Sequence, residues 1–168
     1  MTMAETFHCA ICGEDHDGLS RDWGYGLPDE IWALPEEERD AQARFNDDLC
    51  QWGDRFFIRC ILPVPLKGTD DYFGWGPWVE VDAEVFERYL DLYDADGREE
   101  PPVPGKLANK LEAYTNTSLG TRVLIQFQDP GERPTLSLPE SDKSRLAQEQ
   151  RDGIDAARHH EILEICGA

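Results

Sequence analysis

Cys9 and Cys12 stand two residues apart and are followed by Gly13, within the run Phe-His-Cys-Ala-Ile-Cys-Gly-Glu-Asp-His that spans residues 7–16. Two thiolates at this spacing, on a turn closed by glycine, form half of a tetrahedral zinc site. His16 follows Cys12 by four residues and offers a third donor. Cys50 offers a fourth: it precedes Gln51-Trp52-Gly53 at the end of an element, where a side chain can turn toward a neighbouring loop. The expected ligand set is Cys9, Cys12, His16 and Cys50, with Cys60 replacing His16 as the main alternative and His8 as a spare imidazole. Four protein ligands leave no open position for water, so this zinc would be structural. The bland alternative is a pair of reduced thiols on a loop. A redox pair would need a strand before it and a helix after it, and the N-terminal sequence supplies neither.

The other reactive groups point less clearly. His159 and His160 are adjacent in a helical stretch, so they point about 100° apart and cannot share a metal from one face. One of them could pair with Glu161 or Glu164, but a solvated helix face is the expectation. Cys60 alternates with Phe56, Ile58 and Leu62 and reads as core, as free cysteine commonly is. Cys166 reads as a buried or frayed helix end. No Gly-x-Ser-x-Gly elbow, phosphate-binding glycine loop or His-Glu-x-x-His helix occurs. With 35 acidic residues, no carboxylate pair can be singled out by spacing. Trp52, Phe73, Trp75 and Trp78 form the main aromatic group, to be packed as core or displayed for recognition; core is the expectation.

These residues need a scaffold. Arg55 to Leu62 alternates strictly and predicts a strand, with Phe56, Ile58, Cys60 and Leu62 on one face and Phe57, Arg59 and Ile61 on the other. Pro63 and Pro65 end it or place it at a sheet edge. Phe73 to Val81 predicts its antiparallel partner. Thr121–Phe127 and Thr135–Leu138 predict two more strands. Helices are expected at about 29–34, from Pro35 to about Phe45, at 83–93 with Asp82 as cap and Val85, Phe86, Tyr89, Leu90 and Tyr93 inward, and at 106–114 with Leu107, Leu111 and Tyr114 inward. A further helical stretch starts at Ser141 or Asp142, is interrupted by Gly153, and resumes from an Asp155 cap to about Cys166. Residues 94–105 read as a loop. The predicted fold is α+β: a small antiparallel sheet packed by helices, with a zinc-knuckle-like loop over 7–16 and a body over 17–166, in one domain spanning 1–168.

A chain of 168 residues buries roughly 70% of its unfolded surface, so a metal would be a local fixture and not the source of the fold. Acidic residues outnumber basic ones 35 to 16, for a net charge of −19. Nucleic-acid binding needs clustered Lys and Arg, which are missing, and an anionic membrane surface is disfavoured for the same reason. The plain reading of this acidity is solubility; the functional one, and the expected partner of a binding module, is a protein with a basic surface. The N-terminus has neither the basic nor the apolar region of a secretory signal, and five cysteines make an odd number, so a reducing cytoplasm is expected.

Several segments taken together carry a family likeness. They are Cys9-x2-Cys12-Gly13-x2-His16, Asp48-Leu49-Cys50, Phe56-Phe57-Ile58-Arg59, Trp75-Gly76-Pro77-Trp78-Val79, Phe86-Glu87-Arg88-Tyr89-Leu90, Arg133-Pro134 and Leu146-Ala147-Gln148-Glu149-Gln150-Arg151-Asp152-Gly153-Ile154. In this order they resemble the bacterial family called domain of unknown function 2199, from about residue 7 to about residue 165. The resemblance puts Cys9, Cys12, His16 and Cys50 in family-like positions and implies a bacterial cytoplasmic origin. It carries over no catalytic residue. The function expected is a non-enzymatic binding or interaction module with a structural zinc. The alternatives are an acidic, immunity-type inhibitor of a basic toxin or nuclease, and a small metal- or carboxylate-dependent enzyme.

Overall fold

The computed structural model describes residues 22–114 and 119–166, together with the strand pairing of 7–8 and 15–16. In chain order the elements are β1 (Phe7–His8), β2 (Asp15–His16), β3 (Asp22–Gly24), α1 (Asp29–Trp32), α2 (Glu36–Gln42), β4 (Ala43–Phe45), β5 (Leu49–Trp52), β6 (Arg55–Arg59), β7 (Leu62–Pro65), β8 (Tyr72–Gly76), β9 (Trp78–Val81), α3 (Ala83–Asp91), β10 (Val103–Leu107), β11 (Arg122–Gln126), β12 (Thr135–Ser137), α4 (Arg145–Asp152) and α5 (Ala156–Cys166). Among the described residues this is an α+β arrangement of five helices and mostly antiparallel sheet. The sheet is larger than expected: seven strands in the order β12-β11-β10-β9-β6-β5-β4, beside a three-stranded sheet ordered β3-β8-β7.

The two sheets share one bent hairpin. β6 pairs with β9 from Phe56↔Val81 to Arg59↔Trp78, and β7 pairs with β8 from Leu62↔Trp75 to Pro65↔Tyr72 in the same register. Pro77 and Ile61 mark the bend. Pro77 has no N–H to give, while its carbonyl accepts from Cys60 N at 3.0 Å. Ile61 turns its backbone away from the hairpin: its N–H donates to Pro134 O at 2.9 Å, and its carbonyl accepts from Leu136 N at 2.8 Å. The last strand of the large sheet is thereby tied back to the bend. Pro63 and Pro65 lie in β7, the edge strand of the small sheet, where a missing N–H costs no ladder bond.

Two apolar clusters form on opposite faces of the hairpin. Ile58, Cys60, Leu62, Phe73, Trp75, Val79, Ile125 and Leu146 belong to the larger one, with Val85, Phe86 and Tyr89 of α3 and Ile162 and Leu163 of α5. Phe57, Trp78, Ala43, Cys50, Leu27, Ile31 and Ala108 form the smaller one under α1. Buried Asn109 ties Trp78 to Leu27 within the smaller cluster. Its Oδ1 accepts from Trp78 N at 2.7 Å, and its Nδ2 donates to Leu27 O at 2.9 Å and to Asp29 Oδ1 at 2.8 Å.

Several expectations are corrected. Residues 106–114 are not helical: Lys106 and Leu107 complete β10, which fills the slot between β9 and β11, and Ala108 N donates to Trp78 O at 2.8 Å. Leu107, Leu111 and Tyr114 are nonetheless buried, because the sheet takes them in extended chain. The loop over 94–105 accordingly ends at Val103. The helix after Pro35 stops at Gln42, where β4 starts. Leu90 and Tyr93 are exposed, since α3 buries only the stripe Val85, Phe86 and Tyr89. Asp82 caps that helix as expected, its side chain accepting from Val85 N at 2.9 Å. Ser144, not Ser141 or Asp142, caps α4 through Ala147 N, and Asp155 caps α5 through Arg158 N.

Candidate functional site

The expected metal ligands divide between described and undescribed residues. Cys9 and Cys12 lie outside the described residues, as does the side chain of His16. The flanking backbone is described: Phe7 pairs with His16 and His8 with Asp15, antiparallel, so residues 9–14 connect two paired strands. Cys50 lies in β5, opposite Phe57 and Phe45, buried among Leu27, Ile31, Ala43, Trp78 and Ala108. Burial pushes its thiol up to about 11, because the charged thiolate is disfavoured away from water. Cys60 is fully buried, with its Sγ 3.5 Å from Ile58 O, and burial raises its thiol further. Among the described residues, no three His, Cys, Asp or Glu side chains are grouped to hold a metal ion.

His159 and His160 do not form a solvated face; both are buried. The His159 ring packs on Phe73 at 5.3 Å, and His160 Nε2 lies 3.3 Å from Glu164 Oε1. Helix α5 buries Arg158, His159, His160, Ile162 and Leu163, the last two in the larger cluster, so adjacent positions of the helix are covered. Of the aromatic group, Phe73, Trp75 and Trp78 are core and Trp52 is only partly covered. Trp75 and Trp78 are fully buried but belong to different clusters. Trp78 Nε1 donates to Tyr25 O at 2.9 Å, and half-buried Trp52 carries the Arg55 guanidinium 5.1 Å above its ring.

The structure instead places a cleft of about 570 Å³ on the outer face of the small sheet, lined by Trp23, Gly24, Arg59, Ile61, Tyr72, Gly74, Gly76 and Arg133, with Asp22 and Asp71. Its floor follows from period-two alternation. Phe73 and Trp75 point into the core, so Gly74 and Gly76 present the opposite face without side chains of their own, with Ile61 and Tyr72 lying against Gly74. β3 runs parallel to β8 with Asp22↔Gly74 and Gly24↔Gly76, which sets a third glycine beside the first two. A Cβ on Gly24 would come within 2.6 Å of Arg59 Nη2, so only glycine leaves that guanidinium its place. Tyr72 is half-exposed at one side, its ring edge 3.4 Å from where a Gly74 Cβ would stand.

Arg59 ends β6 just before the bend. Among the described residues its Nε is buried without a hydrogen-bond partner, and its Nη1 makes a single long bond of 3.5 Å to Asp47 O. Burial is the main cause that lowers its affinity for the proton, followed by the nearby charge of Arg133; Asp48 and Asp47 oppose both. Among the described residues Arg133 makes one hydrogen bond, its Nε donating to Asp48 Oδ1 at 3.1 Å. Asp48 in turn accepts from Tyr93 OH at 3.2 Å. The turn that carries Asp47 and Asp48 is built by Asn46, whose Oδ1 accepts from both Asp48 N and Leu49 N at 2.8 Å. The strand between this turn and Arg59 reverses at Gly53, where φ is 62°, a conformation glycine adopts without strain. The sequence reading put Arg59 on the strand face it shares with Phe57 and Ile61 but not in a site. A readable signal was present: two glycines at alternate positions around a buried tryptophan leave one side of a strand empty.

Comparison with curated proteins finds no match, and neither does comparison with solved structures. The model of one protein family matches residues 8–154, which is most of the chain. The protein therefore belongs to the bacterial family domain of unknown function 2199, described as an uncharacterized protein conserved in bacteria.

Proposed function

We propose that this protein is a non-enzymatic binding module whose recognition site is the cleft floored by Gly24, Gly74 and Gly76. The observation that supports this reading is a concavity of about 570 Å³ built on paired strands of the small sheet. Backbone pairing holds the floor in place before a ligand arrives, which lowers the ordering cost of binding. The test is an amide-shift titration of ¹⁵N-labelled protein with phenol and benzyl alcohol as small probes. Shifts should gather at Trp23–Tyr25, Arg59 and Tyr72–Gly76 and should vanish in Gly74→Val, which fills the floor. Shifts centred elsewhere, or undiminished in Gly74→Val, would overturn the assignment.

A structural zinc at the N-terminus remains part of the proposal, on the ligands Cys9, Cys12, His16 and Cys50. The pairing of Phe7 with His16 favours it, because a Cys-x2-Cys pair between paired strands suits tetrahedral zinc. The apolar surroundings of Cys50 weigh against that fourth ligand. Metal content of purified, freshly reduced protein decides the matter: about one zinc per chain, lost in Cys9→Ser, is the expected result. Zinc retained in Cys50→Ser would remove Cys50 from the set, and no metal at all would dismiss the site. The surplus of acidic groups further favours a partner with a basic surface, and an immunity-type inhibitor of a basic toxin is the sharper form of that idea. Association with such a partner should slow as salt is raised. A zinc with only three protein ligands and one water would instead favour an enzyme.

A further inference from the structure

We propose that the cleft recognises an anion, with Arg59 and Arg133 taking the carboxylate or phosphate group of a small organic ligand whose body lies on the glycine floor beside Tyr72; this rests on the cleft being the binding site. A guanidinium carries five N–H donors. Among the described residues Arg59 has one long bond to a carbonyl, no ion pair within 4 Å, and a buried Nε with no partner. Arg133 lines the same cleft, and only its Nε is engaged, by Asp48. Its terminal nitrogens have no hydrogen-bond partner among the described residues. Two like charges are thus brought together at one wall of a concavity, in a chain whose net charge is −19.

Such an arrangement costs stability on its own account. Burial of a charge without a partner is unfavourable, and after burial the nearby charge of Arg133 further lowers the preference of Arg59 for its charged state. An anion bound across the pair would satisfy both, in the bidentate geometry that guanidinium offers to carboxylate and phosphate. The glycines serve the same end. A side chain at position 24 would occupy the space of Arg59 Nη2, so Gly24 is what lets the guanidinium lie over the floor.

The ligand is bounded on three sides. The volume exceeds what a bare phosphate fills, so the anion is the head of a larger molecule. Tyr72, Ile61 and Trp23 supply apolar surface for the remainder. Asp22 and Asp71 also line the cleft, and the acidic exterior surrounds it, so a polyanion such as nucleic acid is repelled while one local anionic group is not.

Isothermal titration tests this with three probes of similar ring size: phenyl phosphate, benzoate and neutral benzyl alcohol. The anionic probes should bind about tenfold or more tightly than benzyl alcohol, as charge-assisted hydrogen bonds imply. That advantage should disappear in Arg59→Gln and in Arg133→Gln. Arg59→Lys, which keeps the charge but not the planar fork, should fall between, and thermal unfolding of each variant verifies its fold. Preference for phenyl phosphate identifies a phosphate ester as the natural class, and preference for benzoate a carboxylic acid. Equal binding of charged and neutral probes, or an advantage that survives both glutamine variants, would overturn anion recognition while leaving the cleft as a site. Failure of benzyl alcohol and both anions alike would overturn the cleft itself.

Discussion

Asn109→Ala should cost about 3 kcal/mol of stability, and the figure follows from three hydrogen bonds. Asn109 is fully buried and ties β9 to the segment that opens α1. Alanine leaves the buried Trp78 N–H without an acceptor, and an unsatisfied buried group costs about 1–3 kcal/mol; a middle value of about 2 suits this site. The Leu27 carbonyl loses its donor in a nearly buried position, for about 1 kcal/mol more. Asp29 contributes little, because it is only half-buried and keeps its bond from Lys110 N at 2.7 Å. For a chain of this size, about 3 kcal/mol lowers Tm by about 6–12 °C. Urea unfolding followed by tryptophan fluorescence, with calorimetry for Tm, measures both. A loss below about 1 kcal/mol would refute the reasoning, since it would mean that water reaches Trp78 N and replaces the amide. Asn109→Asp sharpens the test by keeping the shape. Its carboxylate would face Asp29 Oδ1, so the folded pair would bind protons more readily than the unfolded chain. The penalty is therefore full at neutral pH, fades as pH falls through the pair's raised folded value, and is gone below the unfolded carboxyl's value of about 3.9, where the repulsive part of the gap to wild type should have closed.

Two further perturbations probe the ion pairs. Glu149→Ala removes the carboxylate that accepts from Arg158 Nε at 2.9 Å and from Tyr114 OH at 2.6 Å, stranding a buried guanidinium; the expected loss is about 3–5 kcal/mol by urea unfolding, and a loss under about 1 would show that Glu161, at 2.9 Å, suffices alone. Glu80→Gln addresses pH dependence: hydrogen bonds from Arg55 hold the Glu80 carboxyl below the usual carboxylate range, with burial opposing. That stabilisation is complete above the unfolded carboxyl's value of about 4.3 and is lost as pH falls through the lower folded value. The variant should flatten the acid side of the stability profile by less than about 1 kcal/mol, because the pair is one-third exposed; an unchanged profile would show that the pair is solvated as well as the unfolded side chains are.

Strong local patterns were legible in the chain. Arg55–Arg59 and its continuation alternate so regularly that both faces were assigned correctly, Ile58, Cys60 and Leu62 to one cluster and Phe57 to the other. Asp82 and Asp155 were readable as caps because capping is a contact over three residues. Residues 106–114 misled for the opposite reason. Leu107, Leu111 and Tyr114 fit a helical spacing, yet a vacant central strand position between β9 and β11 outweighed it.

The cleft illustrates the same division. Gly74 and Gly76 around Trp75 were in plain view, and alternation alone dictates that they share a face. That Gly24 lies beside them depends on a parallel pairing across a separation of about fifty residues, which no local pattern announces. That Arg59 and Arg133 meet depends on the bend at Ile61, whose backbone bonds to Pro134 and Leu136 instead of to its hairpin partner. The sequence by itself determined the acidity, the Cys-x2-Cys spacing, the main hairpin and its buried faces, because these are properties of composition and of short-range geometry. Only the tertiary structure decided which distant residues became neighbours. Long-range strand pairing is chosen by the burial and hydrogen bonding of the whole sheet at once, so the convergence of two arginines on a glycine floor exists only once the chain has folded.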